Sequence, residues 1–342
     1  MEIAGRKIGS QYAPLIIAEI GINHNGNINI AKEMVDSAQR AGVEVIKHQT
    51  HIVEDEMSSE ALKVKPGNSD LSIYEIMDSC SLSFEHELEL KNYVESKGML
   101  FISTPFSRAA ADRLAEFDIP AFKIGSGECN NYPLIEHICK YKKPIILSTG
   151  MNNLKSISKA VEIIQSNKID FALLHTTNLY PTPYHLVRLG GMTELIREFP
   201  NTPIGLSDHT TDNLSSYAAL SLGASIIERH FTDKMSRQGP DIICSMDEKS
   251  CSELIENSLK IKSMLGGKKE AANEEQVTSN FAFSTVVTID NIKQGDLFSM
   301  KNIWVKRPGT GDIPAEKFND ILGKTSKKSI SKGEHLRYSD FD

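Results

Sequence analysis

Short apolar runs recur along the first three quarters of the chain, and each is followed by a longer stretch whose apolar positions carry helical spacing. The runs cover residues 15–19, 43–49, 100–103, 121–124, 144–147, 171–174, 203–206 and 224–227. They are long enough for buried strands and too short for helices. The helical stretches cover residues 30–41, 84–97, 108–117, 132–141, 154–166, 189–199, 213–223 and 250–265, several of them stopped by a glycine such as Gly42, Gly98 or Gly223. Strands alternating with helices predict a parallel sheet. Eight such units in about 265 residues predict a closed (β/α)8 TIM barrel. An open doubly wound sheet is the alternative, but no G-x-G-x-x-G follows the first strand, and polar residues recur at every strand end rather than at one switch point.

The pattern breaks twice. Residues 50–78 form a long polar excursion containing Pro66-Gly67-Asn68, and so long a connection predicts a rim or lid over a site. Residues 266–283 are polar and charged and read as a linker. The domain expectation is therefore a barrel over 1–265, a linker over 266–283 and a small β-rich module over 284–342. Within that module Ile292-Lys293-Gln294-Gly295-Asp296 recurs as Ile330-Ser331-Lys332-Gly333-Glu334, and Asn302-Ile303 recurs as Asp340-Phe341. The repeat predicts internal pseudo-symmetry. A module of about 60 residues has a marginal core, so it is expected to lean on the barrel or on another subunit.

Composition narrows the classes. The net charge of −7 without a long basic run argues against a nucleic-acid partner, and no apolar run is long enough to span a membrane. The first residues, Met1-Glu2-Ile3-Ala4-Gly5-Arg6, lack an apolar signal core. Five cysteines without a C-x-x-C pair read as free thiols, which predicts a cytoplasmic protein.

The chemistry gathers at the predicted strand ends. These carry Glu19, Lys47, Thr104, Lys123 with Ser126 and Glu128, Ser148, Asn178 with Tyr180, Ser207 with His209, and His230. Two lysines, several hydroxyls and an amide suit a phosphate or carboxylate. The carboxylates suit proton transfer. Each of His209 and His230 lies just past a strand, on strands that follow one another in the chain. Two readings of that pair stand: ligands of one divalent metal, or two separately satisfied polar histidines. Singly, the serines read equally well as helix caps, the lysines as snorkelling side chains and Tyr180-Pro181-Thr182-Pro183 as a rigid turn. Jointly, on one face of a barrel, they read as an active site.

Eight segments in order, EIGINHNG at 19–26, KHQT at 47–50, STPF at 103–106, KIGSGECNN at 123–131, STGM at 148–151, HTTNLYPTP at 175–183, SDHTTDN at 207–213 and ERHF at 228–231, resemble the sialic acid synthase family. Trp304-Val305-Lys306-Arg307-Pro308-Gly309 resembles the antifreeze-like (SAF) domain of those enzymes. The resemblance covers nearly the whole chain. It implies condensation of phosphoenolpyruvate with an N-acetylhexosamine to a nine-carbon 2-keto acid, used in capsule or lipooligosaccharide biosynthesis. It also implies Mn²⁺ or Mg²⁺ on His209 and His230. Lys47, Thr104, Lys123, Ser126, Ser148, Asn178 and Ser207 would hold phosphoenolpyruvate, and Glu19, Tyr180 and Asp241 the sugar hydroxyls. Glu128 would activate water. Arg307 would reach the N-acetyl group from the partner of a domain-swapped homodimer. Within the family, His48, Asn130-Asn131 and His175-Thr176-Thr177 point to N-acetylmannosamine as the sugar, rather than to the diacetamido sugars of the legionaminic and pseudaminic branches. One departure is the segment Asn280-Phe281-Ala282-Phe283-Ser284, which lacks the arginine these enzymes usually carry there.

Overall fold

The computed structural model describes residues 1–65, 70–239 and 241–342; Pro66-Gly67-Asn68 of the polar excursion lies outside the described residues. The chain forms two compact units, Met1–Gly266 and Gly267–Asp342. In the first, a hairpin of β1 (Glu2–Ile3) and β2 (Arg6–Lys7) precedes eight parallel strands: β3 (Leu15–Gly21), β4 (Val45–Thr50), β5 (Leu100–Pro105), β6 (Phe122–Ile124), β7 (Ile145–Ser148), β8 (Phe171–Thr176), β9 (Ile204–Asp208) and β10 (Ile226–His230). They close into a barrel in chain order, with β10 paired back onto β3. This is the expected TIM barrel. Its outer ring contains α1 (Ile28–Ala41), α4 (Phe84–Ser96), α5 (Arg108–Glu116), α6 (Tyr132–Cys139), α7 (Leu154–Ser166), α9 (Leu189–Glu198), α10 (Leu214–Ser221) and α11 (Glu248–Met264), with the single turn α8 (Tyr184–Val187) just before α9.

Two separate cores follow from the two-residue repeat of the strands. The outward faces pack on the helices through residues such as Ile16, Ile46, Phe101, Phe122 and Leu206. The inward faces bury Leu15, Ile17, Val45, Ile102, Ala121, Ile146, Ala172 and Ile226, with Ile3 and Ile8 closing the amino-terminal mouth. One step further along seven of the eight strands the inward positions turn polar, while β8 keeps the apolar Leu174 there. Glu19, Lys47, Thr104, Lys123, Ser148, Ser207 and Glu228 therefore form a layer stacked directly on an apolar plug.

The excursion after β4 is built of short helices: α2 (Val53–Glu56), a 3-10 turn over Ser59–Lys63 and α3 (Ile73–Cys80). Ser72 starts α3 with a capping box, its side chain accepting from the Glu75 amide while Glu75 accepts from the Ser72 amide.

In the second unit, the segment expected as a linker carries a 3-10 turn over Asn273–Glu275 and a helix, α12 (Gln276–Ala282). Strands β11 (Thr285–Thr288) and β12 (Ile303–Lys306) pair antiparallel. The internal repeat has a structural counterpart. Ile292 and Ile330, first residues of the two copies, bond to each other in both directions at 2.9 and 2.8 Å. Gly295 and Gly333 both take left-handed backbone angles in the turns that follow. Ile292, Phe298, Ile303, Ile330, Leu336 and Phe341 share one small core.

Candidate active site

The carboxyl end of the barrel holds a small inner basin of about 120 Å³. Register explains its contents: Glu228 pairs across the sheet with Ser207, and Glu19, which does not itself line the basin, pairs with the lining residues His230 and Lys47. The Lys47 ammonium forms an ion pair with Glu19, lies 3.5 Å from Glu228 and reaches Thr104 Oγ1 at 3.4 Å. The Lys123 ammonium donates to Ser148 Oγ at 2.7 Å and to the Ile124 carbonyl at 3.1 Å, and lies 3.9 Å from Glu228. Ser207 Oγ donates to Glu228 at 3.1 Å. Ser126 Oγ accepts from the Gly150 amide at 3.0 Å.

All these charges are buried, so their partners set their state. Burial opposes the Lys47 ammonium, but Glu19 and Glu228 outweigh it and hold the pKa above the ordinary lysine value. Lys123 has weaker support. Burial is its largest influence, Glu228 opposes that and Lys47 adds to it, and the result is a pKa brought down to about 8. Burial would raise the Glu228 carboxyl, yet Lys123 and Lys47 pull it below the ordinary carboxylate range. The basin is thus a cation pair pinned by carboxylates, with side-chain hydroxyls beside it. Asn178 Oδ1 and Glu228 Oε2 are buried there without a hydrogen-bond partner, which is the condition of groups awaiting a ligand.

His209 and His230 meet on the rim of this basin, with ring centroids 5.4 Å apart. Tyr180 stacks on His209 at 4.2 Å and meets His230 edge-on at 5.8 Å. His209 Nδ1 donates to the Thr177 carbonyl at 2.9 Å, which leaves Nε2 with its lone pair. His230 Nδ1 has no hydrogen bond and lies 3.5 Å from an Asp241 carboxylate oxygen. Burial, with the neighbouring His230 second, brings the His209 pKa down to about 4, and burial brings His230 to about 4 as well. Neutral imidazoles with free lone pairs fit a divalent cation. Among the described residues no group of three or more histidine, cysteine or carboxylate side chains stands ready to hold an ion.

The basin opens into an outer chamber of about 860 Å³, walled by Ile73, Ile76, Met77 and Cys80 of α3 and by Asn25, Glu56, Phe106 and Asp241. Gln49, Phe106, Tyr180 and His230 face both spaces. Burial raises the Asp241 carboxyl above its ordinary range, against His209 and Lys47. A chamber of this size takes a sugar-sized ligand.

Not every candidate lies in the basin. Ser126 and Gly127 line it, but the 3-10 turn Ser126–Glu128 carries Glu128 past its edge. There Glu128 accepts from Asn131 Nδ2 at 2.5 Å, and burial raises its carboxyl, with Asn131 opposing and Glu56 adding to the rise. Arg307 is exposed in the second unit, before a cis bond to Pro308. The residues taken to favour one sugar are corrected by strand parity. His48 faces outward and is bound between Glu87 and His24. His175 donates to the Val187 carbonyl at 2.7 Å, and Asn131 caps α6. Of these, only Thr176 lines the basin.

Glu228, Gln49, His51 and Glu56 were absent from the sequence-derived set. The signal for Glu228 was there: it lies two residues before His230 on the same strand and therefore on the same face. The cysteines offer no nucleophile. All five are free and buried, and burial raises the Cys129, Cys244 and Cys251 thiols to about 12. No helix among the described residues is long and apolar enough to cross a membrane.

Comparison with known proteins gives the family and the fold. Residues 34–270 match the NeuB family, and residues 284–342 match the SAF domain. An uncharacterized protein of Methanocaldococcus jannaschii is 38% identical over 99% of this chain and 98% of its own. The N,N'-diacetyllegionaminic acid synthase of Campylobacter jejuni is 35% identical over 94% of this chain and 98% of its own. The crystal structure of an N-acetylneuraminic acid (sialic acid) synthetase from Leptospira borgpetersenii, in complex with citrate, superposes with a TM-score of 0.74 at 30% identity, covering 81% of this chain and 94% of that one.

Proposed function

The chain belongs to the NeuB family, and from that premise we propose that it condenses phosphoenolpyruvate with N-acetylmannosamine and water, giving N-acetylneuraminate and phosphate. The observation that carries this reading is the meeting of an anion cradle and a neutral imidazole pair at one barrel mouth. Lys47 and Lys123, with Thr104, Ser126, Ser148, Asn178 and Ser207, hold the phosphate and carboxylate of phosphoenolpyruvate. Glu19, Tyr180 and Asp241 hold sugar hydroxyls on the chamber side. Arg307 reaches the N-acetyl group from the partner of a domain-swapped homodimer. The protein works in the cytoplasm, where its buried thiols stay unpaired.

His209 and His230 would hold Mn²⁺ or Mg²⁺, which when bound draws electron density from an aldehyde carbonyl. The methylene carbon of phosphoenolpyruvate attacks the aldehyde carbon of the open-chain sugar. Water adds to the cationic C2 that results, and the adduct loses phosphate with C–O cleavage. Lys47 and Lys123 balance the phosphate charge throughout, and Glu228 keeps both ammonium groups oriented. Glu128 takes the proton of the attacking water from the edge of the basin; a carboxyl raised by burial suits a base.

A diacetamido-trideoxyhexose, leading to legionaminic or pseudaminic acid, is the second reading. The Campylobacter jejuni relative favours it, and so does the apolar wall of α3, where Ile73, Ile76 and Met77 suit extra methyl groups. The test is phosphate release with Mn²⁺, phosphoenolpyruvate and each of three sugars: N-acetylmannosamine, its 2,4-diacetamido-6-deoxy counterpart and the corresponding altrose. The first reading predicts turnover with N-acetylmannosamine. Turnover only with a diacetamido sugar overturns it in favour of the second.

A further inference from the structure

A line of hydrogen bonds runs from the outer chamber to Glu19. Glu56 Oε2 meets His51 Nδ1 at 2.8 Å. His51 Nε2 meets Gln49 Oε1 at 3.1 Å. Gln49 Nε2 donates to Glu19 Oε1 at 3.2 Å, and the other Glu19 oxygen faces the Lys47 ammonium. The line is shielded: the His51 side chain is 3% exposed and that of Glu56 10%. Phe106 covers the imidazole face at 4.5 Å, 10° from parallel. Backbone geometry also makes room for it. Gly21 has φ +38°, and a Cβ there would lie 2.4 Å from Glu19 Oε1 and 2.8 Å from Gln49 Nε2, in the place of their bond.

Three contacts each need one hydrogen between two heavy atoms. Gln49 supplies a donor on one side and an acceptor on the other, so it provides one. With its NH2 toward Glu19, both His51 nitrogens must carry hydrogen, or Glu56 must. With the amide turned round, His51 donates to Glu56 and a proton must sit on Glu19. Either way the line holds one proton more than a neutral imidazole and two bare carboxylates. Lys47 beside Glu19 favours the first arrangement. The other ionisable groups near this unit are His24, whose charge interacts with His51, and Glu128, which interacts with Glu56.

We propose that His51 is held doubly protonated by Glu56, and that through Gln49 this pair fixes Glu19 as an acceptor-only carboxylate beside the Lys47 ammonium. His51, Glu56 and Gln49 are then positioning residues, and the stored proton is a property of the chain in the absence of substrate. The role in turnover rests on the condensation proposed above. During it the former aldehyde oxygen gains one proton and the attacking water loses one, so the stored proton is not consumed.

The test uses the full-length protein with ¹⁵N-labelled histidine side chains and the variants His51→Gln and Glu56→Gln. The His51 resonances, assigned by their loss in His51→Gln, should show hydrogen on both ring nitrogens at neutral pH. Glu56→Gln should convert them to the singly protonated pattern and lower kcat/KM about tenfold, with a folded circular dichroism spectrum. A singly protonated His51 in the wild type, or a pattern unchanged in Glu56→Gln, overturns the proposal. The spectra need no substrate. Failure of every sugar to turn over would therefore overturn the condensation and leave the proton assignment standing on its own result.

Discussion

Lys123 is the residue whose environment is most finely balanced. Burial lowers it, Glu228 raises it, and its pKa of about 8 places the loss of its charge just above neutrality. An anion bound by the protonated form is released as that proton leaves. Affinity for phosphoenolpyruvate should therefore hold below about pH 8 and fall above it. In Glu228→Gln the supporting carboxylate is gone, so the fall should begin at lower pH; binding titrations at several pH values decide this, and an unshifted limb would remove Glu228 from the account. Residue-level legibility followed side-chain type. Lysines inside apolar runs and histidines just past them stand out, because few things except a buried site explain them there. His51 and Gln49 do not stand out, because their role comes from neighbours on α2 and β3 that only folding supplies. His48 misled for the opposite reason: it sits in a prominent motif, yet strand parity turns it outward.

At the scale of elements, all eight barrel strands and their helices were legible, since apolar runs of strand length alternate with amphipathic ones. Apart from β6, which ends at Ile124 as expected, their carboxyl ends were read short. The run expected over 224–227 becomes β10 to His230, and that over 203–206 becomes β9 to Asp208. An apolar criterion stops at the first polar residue, whereas in a barrel the ladder continues while its inward positions change to working side chains. The excursion after β4 hid its helices because α2 and α3 are short, and α3 turns Ile73, Ile76 and Met77 toward the chamber. Behind β4 lies a second polar line, from the Gly26 amide to His24, His48 and Glu87, the last also 3.2 Å from Arg113. Burial, with His48 second, pushes His24 down to about 3. Between about 6.5 and about 3 the unfolded chain then binds the extra proton and the folded chain does not, so stability is lost as pH falls through that window. His24→Gln should flatten this dependence in denaturant titrations between neutral and acidic pH. An equally steep dependence would place the titration elsewhere.

On the scale of the molecule, the barrel supplies every group of the basin, while Arg307 sits on a separate compact unit. That unit was legible as a repeat because Ile292 and Ile330 hold equivalent places in its core. Phe281 and Phe283 are exposed in that unit, apolar residues that the repeat does not account for. If Arg307 serves a partner's barrel, Arg307→Ala should mainly raise KM for the sugar. Mixing it with the inactive Lys123→Met variant should restore part of the activity, and no restoration would argue against the exchange. The proposed condensation needs the basin and the imidazole pair to work as one reaction centre. Sugar-dependent phosphate release from phosphoenolpyruvate by chelated protein, before and after Mn²⁺ is returned, beside His209→Ala and His230→Ala, decides this. Release should return with the metal in the wild type and fall by about 10²–10³-fold in either variant; variants that keep more than about a tenth of the wild-type rate would separate the two.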